Sequence, residues 1–140
     1  MSIRAIPLMF VAFIFYNVVV LLGGAEGADA VLRRVIFSVP SVRGAASWSF
    51  TWGDLILLVT FLLLFAEILK ATYTSTASLL DHGFSMLVFI ACLVEFLLFD
   101  PAFTSVFFMI MVATLIDVVA GYTIGIRVAR RDIGFGGLDN

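Results

Sequence analysis

Four apolar runs, Ile6 to Leu22, Leu55 to Leu69, Leu79 to Phe99 and Ala102 to Ile126, occupy most of this chain. Each comes near the roughly 20 residues that a helix of about 1.5 Å rise per residue needs to cross a hydrocarbon layer of about 30 Å. Lipid offers the backbone no hydrogen bonds, so each run must satisfy its own N–H and C=O groups and is expected to be helical. Composition points the same way. Of 140 residues, 63% are hydrophobic and 13% charged, and the mean hydropathy is +1.19, well outside the usage of soluble domains. The expected fold is an all-α membrane protein with four transmembrane helices in an antiparallel bundle, at about 5–23, 52–71, 78–99 and 101–126. The first extramembrane loop, 24–51, is expected to hold a short β-hairpin, and 127–140 to form a basic tail that opens as a short basic helix end and continues Gly-rich.

Helix ends carry their own signals. In "TWGD", Thr51 can cap a helix while Asp54, three residues on, returns the bond and suits the positive helix start. The second helix is therefore expected to begin near Trp52. In "FDPAF", Asp100 is a good N-cap and Pro101 suits the first helical position, which predicts a tight turn between the third and fourth helices. The second and third helices are joined by the polar, hydroxyl-rich "KATYTSTAS". Ala28-Asp29-Ala30 has the small-x-small pattern of a signal-peptidase site. The apolar run before it is longer than the roughly 7 to 15 residues of a signal peptide and contains Tyr16 and Asn17, which favours a retained helix followed by a loop.

Within that loop, "VIFSVPSVRGAASWSFTW" has β-branched residues ahead of Pro40 and Gly44, then a strict alternation. Trp48, Phe50 and Trp52 should face one way and Ser47, Ser49 and Thr51 the other. An aromatic face of this kind suits the membrane interface. A two-stranded hairpin is marginal alone, so it must rest on the helices, the bilayer or a partner.

Three acids fall inside the apolar runs: Glu67, Glu95 and Asp117. A charge at mid-membrane costs roughly 2.5 to 3.5 kcal/mol on insertion scales, so each calls for a partner or a function. Glu67 lies three residues before Lys70, and the third helix brings Asp81 and His82 near; the four form either a small polar network or a simple i to i+3 pair at the interface. Asp117 belongs to a stripe in which Ala113, Asp117, Gly121 and Gly125 recur every four residues. The GxxxG pair allows close approach of another helix backbone, so Asp117 should face protein and bond Thr60, Thr123, Tyr122 or a symmetry mate. Glu95 shares a face with Ser85, Val88 and Cys92, at the depth where the first helix offers Tyr16 and Asn17 as partners. Two acidic levels with an apolar gap between them argue against a simple channel in one copy.

Several function classes are disfavoured. A single histidine and a single cysteine leave no Ser-His-Asp set, no bis-histidine haem site, no intramolecular disulfide and only a weak metal signal. No phosphate-cradling loop is present. Eight scattered basic residues and a net charge of -2 offer no surface for nucleic acid. No enzymatic activity, metal or cofactor is expected.

"LLFAEILKATYTSTASLLDHGFSMLVFIACLVEFLL", "LIDVVAGYTIGIRVARRDIGFG" and "WSFTWGDL" resemble stretches of small four-helix inner-membrane proteins of alphaproteobacteria whose function is uncharacterised. The resemblance covers roughly residues 50 to 135 and implies location and helix count, with no catalytic or binding residue. The expected location is a bacterial inner membrane. Four helices put Arg4, Lys70, Arg127, Arg130 and Arg131 on one side and Arg33, Arg34 and Arg43 on the other, which predicts both termini in the cytoplasm. The expected role is association, as an accessory or assembly subunit of a membrane complex or as a homo-oligomer. The alternative is an oligomeric proton or cation pathway through Glu95 and Asp117. The expected partners are the bilayer and other membrane chains or a second copy.

Overall fold

The computed structural model describes residues 6–73 and 78–135, without the side chains of 73, 78–81, 129 and 132–135. Arg4 and the Asp81 side chain, both named above, lie outside the described residues. The chain is mostly helical: α1 is Leu8–Leu22, α2 Ala28–Arg33, α3 Trp52–Tyr73, α4 Ser78–Leu98 and α5 Ser105–Phe135, with strands β1 Val35–Pro40 and β2 Ser47–Thr51 between α2 and α3.

α1, α3, α4 and α5 pack together, with α5 against both α3 and α4 and α1 chiefly against α3. Their directions follow from end-to-end contacts. At one end the space beside Gly53, at the start of α3, is filled by Val106 at the start of α5 and by Leu32 of α2. At the other end the last turns of α3 meet Asp117 and Gly121 of α5 and His82 of α4. α3 and α5 therefore run parallel, and α4 returns between them. α1 runs against α3, since its first amide meets Glu67 near the end of that helix.

The buried stripe of α1, Met9, Ala12, Tyr16 and Val20, keeps a helical spacing and meets Ile56, Val88, Cys92, Phe107, Ile110 and Ala113. The outward faces are apolar as well. Phe10, Ile14 and Val18 on α1, Phe61, Leu62 and Phe65 on α3, Leu87, Ile90 and Val94 on α4 and Ile116 and Val119 on α5 are all exposed. Buried polar groups, among them Thr60, Glu67, Ser85, Thr114 and Asp117, face inward instead.

Among the described residues two helices are long and apolar enough to cross a membrane, over Trp52–Thr72 and Ser105–Val128. The apolar stretches Leu8–Leu22 and His82–Leu98 are shorter. The expectation of four full spans is thus met by length and composition in α3 and α5 alone. Other boundaries also differ. α1 begins after Pro7, whose ring leaves no N–H to donate, and not at residue 5. "GADA" opens no loop: Ala28–Arg33 is helical, and Gly23 makes room for it, because a Cβ there would lie 2.5 Å from both Val31 methyls. Arg34 then ties this turn down, donating to Gly23 O at 2.7 Å and to Glu26 at 3.0 Å.

The start of α3 is as expected. Asp54 N donates to Thr51 Oγ1 and Thr51 N to Asp54 Oδ2 at 2.9 Å, so each residue caps the other. The start of α5 is not. Asp100–Ala102 form a single 3-10 turn, and the cap is Thr104, whose hydroxyl accepts from Phe107 N at 3.2 Å. α5 therefore starts at Ser105, not 101, and it continues through "RVARRD" to Phe135, past the expected end at 126. Arg127 and Arg130 thus lie on this helix.

The hairpin is present. β1 and β2 pair antiparallel with Phe37 opposite Phe50, Ser38 opposite Ser49 and Val39 opposite Trp48, and a bulge at Ile36. Phe37, Trp48 and Phe50 cluster, with Phe37 stacked on Phe50 at 4.9 Å. Ser38 and Ser49 share a hydrogen bond of 2.9 Å. Trp52, expected on the same aromatic face, is instead the first residue of α3.

Candidate functional site

The last turns of α3 and the first of α4 meet the middle of α5 around a small polar cavity. Its volume of about 10 Å³ is the space of about one water molecule. Glu67, Lys70, Ala71, His82, Ser85, Asp117 and Gly121 line it. Five of these, Glu67, Lys70, His82, Asp117 and Gly121, are candidates named from the sequence, and the fold brings them to one place from three helices.

Glu67 does two jobs. Its Oε1 accepts from Lys70 Nζ at 3.1 Å, the expected i to i+3 pair. Its Oε2 accepts from the backbone N–H of Leu8 at 2.8 Å. α1 has no capping side chain of its own, so an acid 59 positions away supplies what its positive N-terminus lacks. No local sequence signal announces this bond. The one hint is that the helix at "PLMF" starts with no Ser, Thr, Asp or Asn immediately ahead of it.

Gly121 has a different use from the one its GxxxG spacing suggests. A Cβ there would lie 2.6 Å from His82 Nδ1 and 2.7 Å from Cε1. The glycine makes room for an imidazole and not for another helix backbone. His82 also packs against Tyr122 at a tilt of 33°, with ring centroids 5.2 Å apart. Of the rest of that stripe, Ala113 and Asp117 are buried inside the chain and Gly125 is half-buried.

Asp117 faces protein, but with another neighbour. Thr60 and Thr123 donate to their own helices, at Ile56 O and Val119 O, both at 2.7 Å. The polar side chain that acts on the Asp117 carboxyl is Ser85, with Glu67 and Lys70 in electrostatic range. Ser85 shares a stripe with Glu95 in the sequence, yet about 15 Å of α4 separates them. Asp117 Oδ2 is buried with no hydrogen-bond partner among the described residues.

At the opposite end of the bundle Tyr16 is fully buried. Its hydroxyl donates to Pro101 O at 2.7 Å and shares a hydrogen with Thr104 Oγ1, also at 2.7 Å. Tyr16 is therefore not the partner of Glu95. Asn17 Nδ2 donates to Phe13 O at 3.1 Å and is the polar side chain nearest in effect to the Glu95 carboxyl. Glu95 Oε1 is also buried without a partner among the described residues. Val88, Cys92, Ile110 and Ala113 fill the space between the two levels.

Among the described residues no three His, Cys, Asp or Glu side chains group as metal ligands. The chain matches no protein family, no curated protein and no solved structure.

Proposed function

We propose that this protein is an integral membrane protein of four antiparallel spans that works by association with other membrane chains, as an accessory or assembly subunit or as a homo-oligomer. One observation carries the membrane reading: the outer faces of all four long helices expose large apolar side chains while Thr60, Glu67, Ser85 and Asp117 point inward. In water that arrangement would leave apolar surface well beyond what monomers expose; in lipid it is the expected one. The direction of the helices extends the argument. If α3 and α5 both cross, running parallel, the chain between them must cross back, and α4 is all that lies between.

Association is supported by the hairpin. Val35, Phe37, Val39 and Trp48 are exposed, and a two-stranded ribbon is too small to stand alone. The measurement is the mass of the native complex from membranes in a mild detergent, with its constituents identified. Larger subunits or a homo-oligomer are expected; a monomer in every mild detergent overturns the reading. A second reading, a proton pathway, is favoured by the unpartnered carboxylate oxygens at two depths. It requires pH-driven flux in liposomes that an Asp117→Asn, Glu95→Gln variant loses.

For orientation, Lys70, Arg127, Arg130 and Arg131 lie at the end where α1 begins. Arg33, Arg34 and Arg43 share the other end with Glu26, Asp29, Asp54 and Asp100. The excess of basic residues favours the first end, and with it both termini, in the cytoplasm of a bacterial inner membrane.

A further inference from the structure

α5 is 31 residues long, about 46 Å at about 1.5 Å per residue. A hydrocarbon core of about 30 Å takes up roughly 20 of them. The helix starts level with the start of α3, so its last turns project beyond the apolar layer. They do so as helix and not as a loose tail, which fixes where their side chains stand relative to the span.

One outward stripe of α5 runs the whole way. Ile116 and Val119, 46% and 58% exposed, are followed at steps of four by exposed Thr123 and Arg127, then at steps of three and four from Arg127 by exposed Arg130 and Arg131. The face that meets acyl chains therefore changes to three guanidinium groups within one turn of the end of the apolar stretch at Val128. None of the three has an acidic partner among the described residues; the ion pairs there are Arg34 with Glu26 and Lys70 with Glu67.

Resting on the membrane-spanning reading, we infer that Arg127, Arg130 and Arg131 form a binding face for anionic phospholipid headgroups. Charge and depth both select that occupant. Arginine holds a phosphate through paired N–H donors, and the phosphate layer lies just beyond the hydrocarbon, at the level where this stripe turns basic. A zwitterionic lipid offers the same phosphate with its charge cancelled. The face therefore discriminates by net headgroup charge.

The test uses the full chain in neutral detergent, incubated with equimolar phosphatidylglycerol and phosphatidylcholine, then repurified and its bound phospholipid counted by mass spectrometry. Wild type should retain the anionic lipid in excess by roughly fivefold or more, the order expected for each basic residue at such a surface. Arg127→Gln, Arg130→Gln, Arg131→Gln together should bring the ratio close to one, with helix content by circular dichroism unchanged. Arg33→Gln with Arg43→Gln, at the other end, should keep the excess. No excess in wild type, an excess that survives the triple change, or its loss in the Arg33, Arg43 variant overturns the inference, as does inorganic phosphate at millimolar concentration displacing the lipid outright. Alkaline carbonate separates the two readings: a protein that carbonate extracts fails the membrane reading itself, whereas a carbonate-resistant protein without headgroup preference fails this one alone.

Discussion

Gly121 is the residue on which the polar cavity turns. With a Cβ placed 2.6 Å from His82 Nδ1, Gly121→Ala must push the imidazole aside or part α4 from α5. The expected cost is about 1–3 kcal/mol, the usual range for an overpacked interior. Thermal unfolding in detergent should show it, and in a His82→Ala background the same substitution should cost markedly less, because the clashing ring is gone. Equal costs in both backgrounds would mean that Gly121 serves another helix after all. Tyr16 permits a cleaner subtraction. Tyr16→Phe keeps the ring, which lies 4.8 Å from that of Phe107, and removes only the hydroxyl. Pro101 O then loses a buried donor, and Thr104 keeps its cap on Phe107 but loses its second partner. A loss of about 1–3 kcal/mol is expected by the same unfolding measurement.

Among the elements, α1 depends most on a distant residue. Glu67→Ala removes the acceptor of its first amide, so amide hydrogen exchange over the first turn of α1 should accelerate while the centre of α5 is unaffected. Glu67→Gln, which keeps an acceptor and loses the charge, should fall between. No change in the Ala variant would show that water caps the helix equally well. What could be read from sequence follows the range of the forces involved. The Thr51–Asp54 cap spans three residues and was legible, as was the alternation of hydroxyls and aromatics along β2, because both are set by local spacing. Asp100 and Thr104 competed for the start of α5, and Tyr16, from another helix, buttresses Thr104. Sequence offers no way to weigh that contact. Past Ile126 a short basic helix end was legible, since "RVARR" has no proline or glycine to stop a helix, but its reach to Phe135 was not. In the cavity, Glu67 and Asp117 were visible as costly acids within apolar runs and Lys70 and His82 as neighbours of Glu67, whereas Ser85 beside Asp117 and His82 over Gly121 depend on how α4 is set against α5.

At the scale of the whole molecule, two properties constrain each other. Among the described residues only α3 and α5 are long and apolar enough to cross alone, yet they run parallel, so neither can be the return path of the other. On the proposed membrane reading a chain crossing twice in the same direction must cross once between, and α4, with an apolar stretch from His82 to Leu98, brings His82 and Ser85 against α3 and α5 at the cavity. α1 is short, but its start is level with Glu67, and its end leads directly into α2 beside the start of α3. On the proposed membrane reading, the hairpin tip and the arginine end of α5 lie on opposite sides of the bilayer. Cysteine labelling tests this directly. Cys92 is fully buried, and Cys92→Ser gives a silent background into which Val42→Cys, fully exposed at the tip, or Arg131→Cys is introduced. A membrane-impermeant maleimide added to intact cells should label position 42 at once and position 131 only after the membrane is opened. The reverse order would invert the orientation inferred from the basic residues and leave the fold intact. Labelling of both positions from one side would deny the odd number of crossings between them, and with it the four-span bundle.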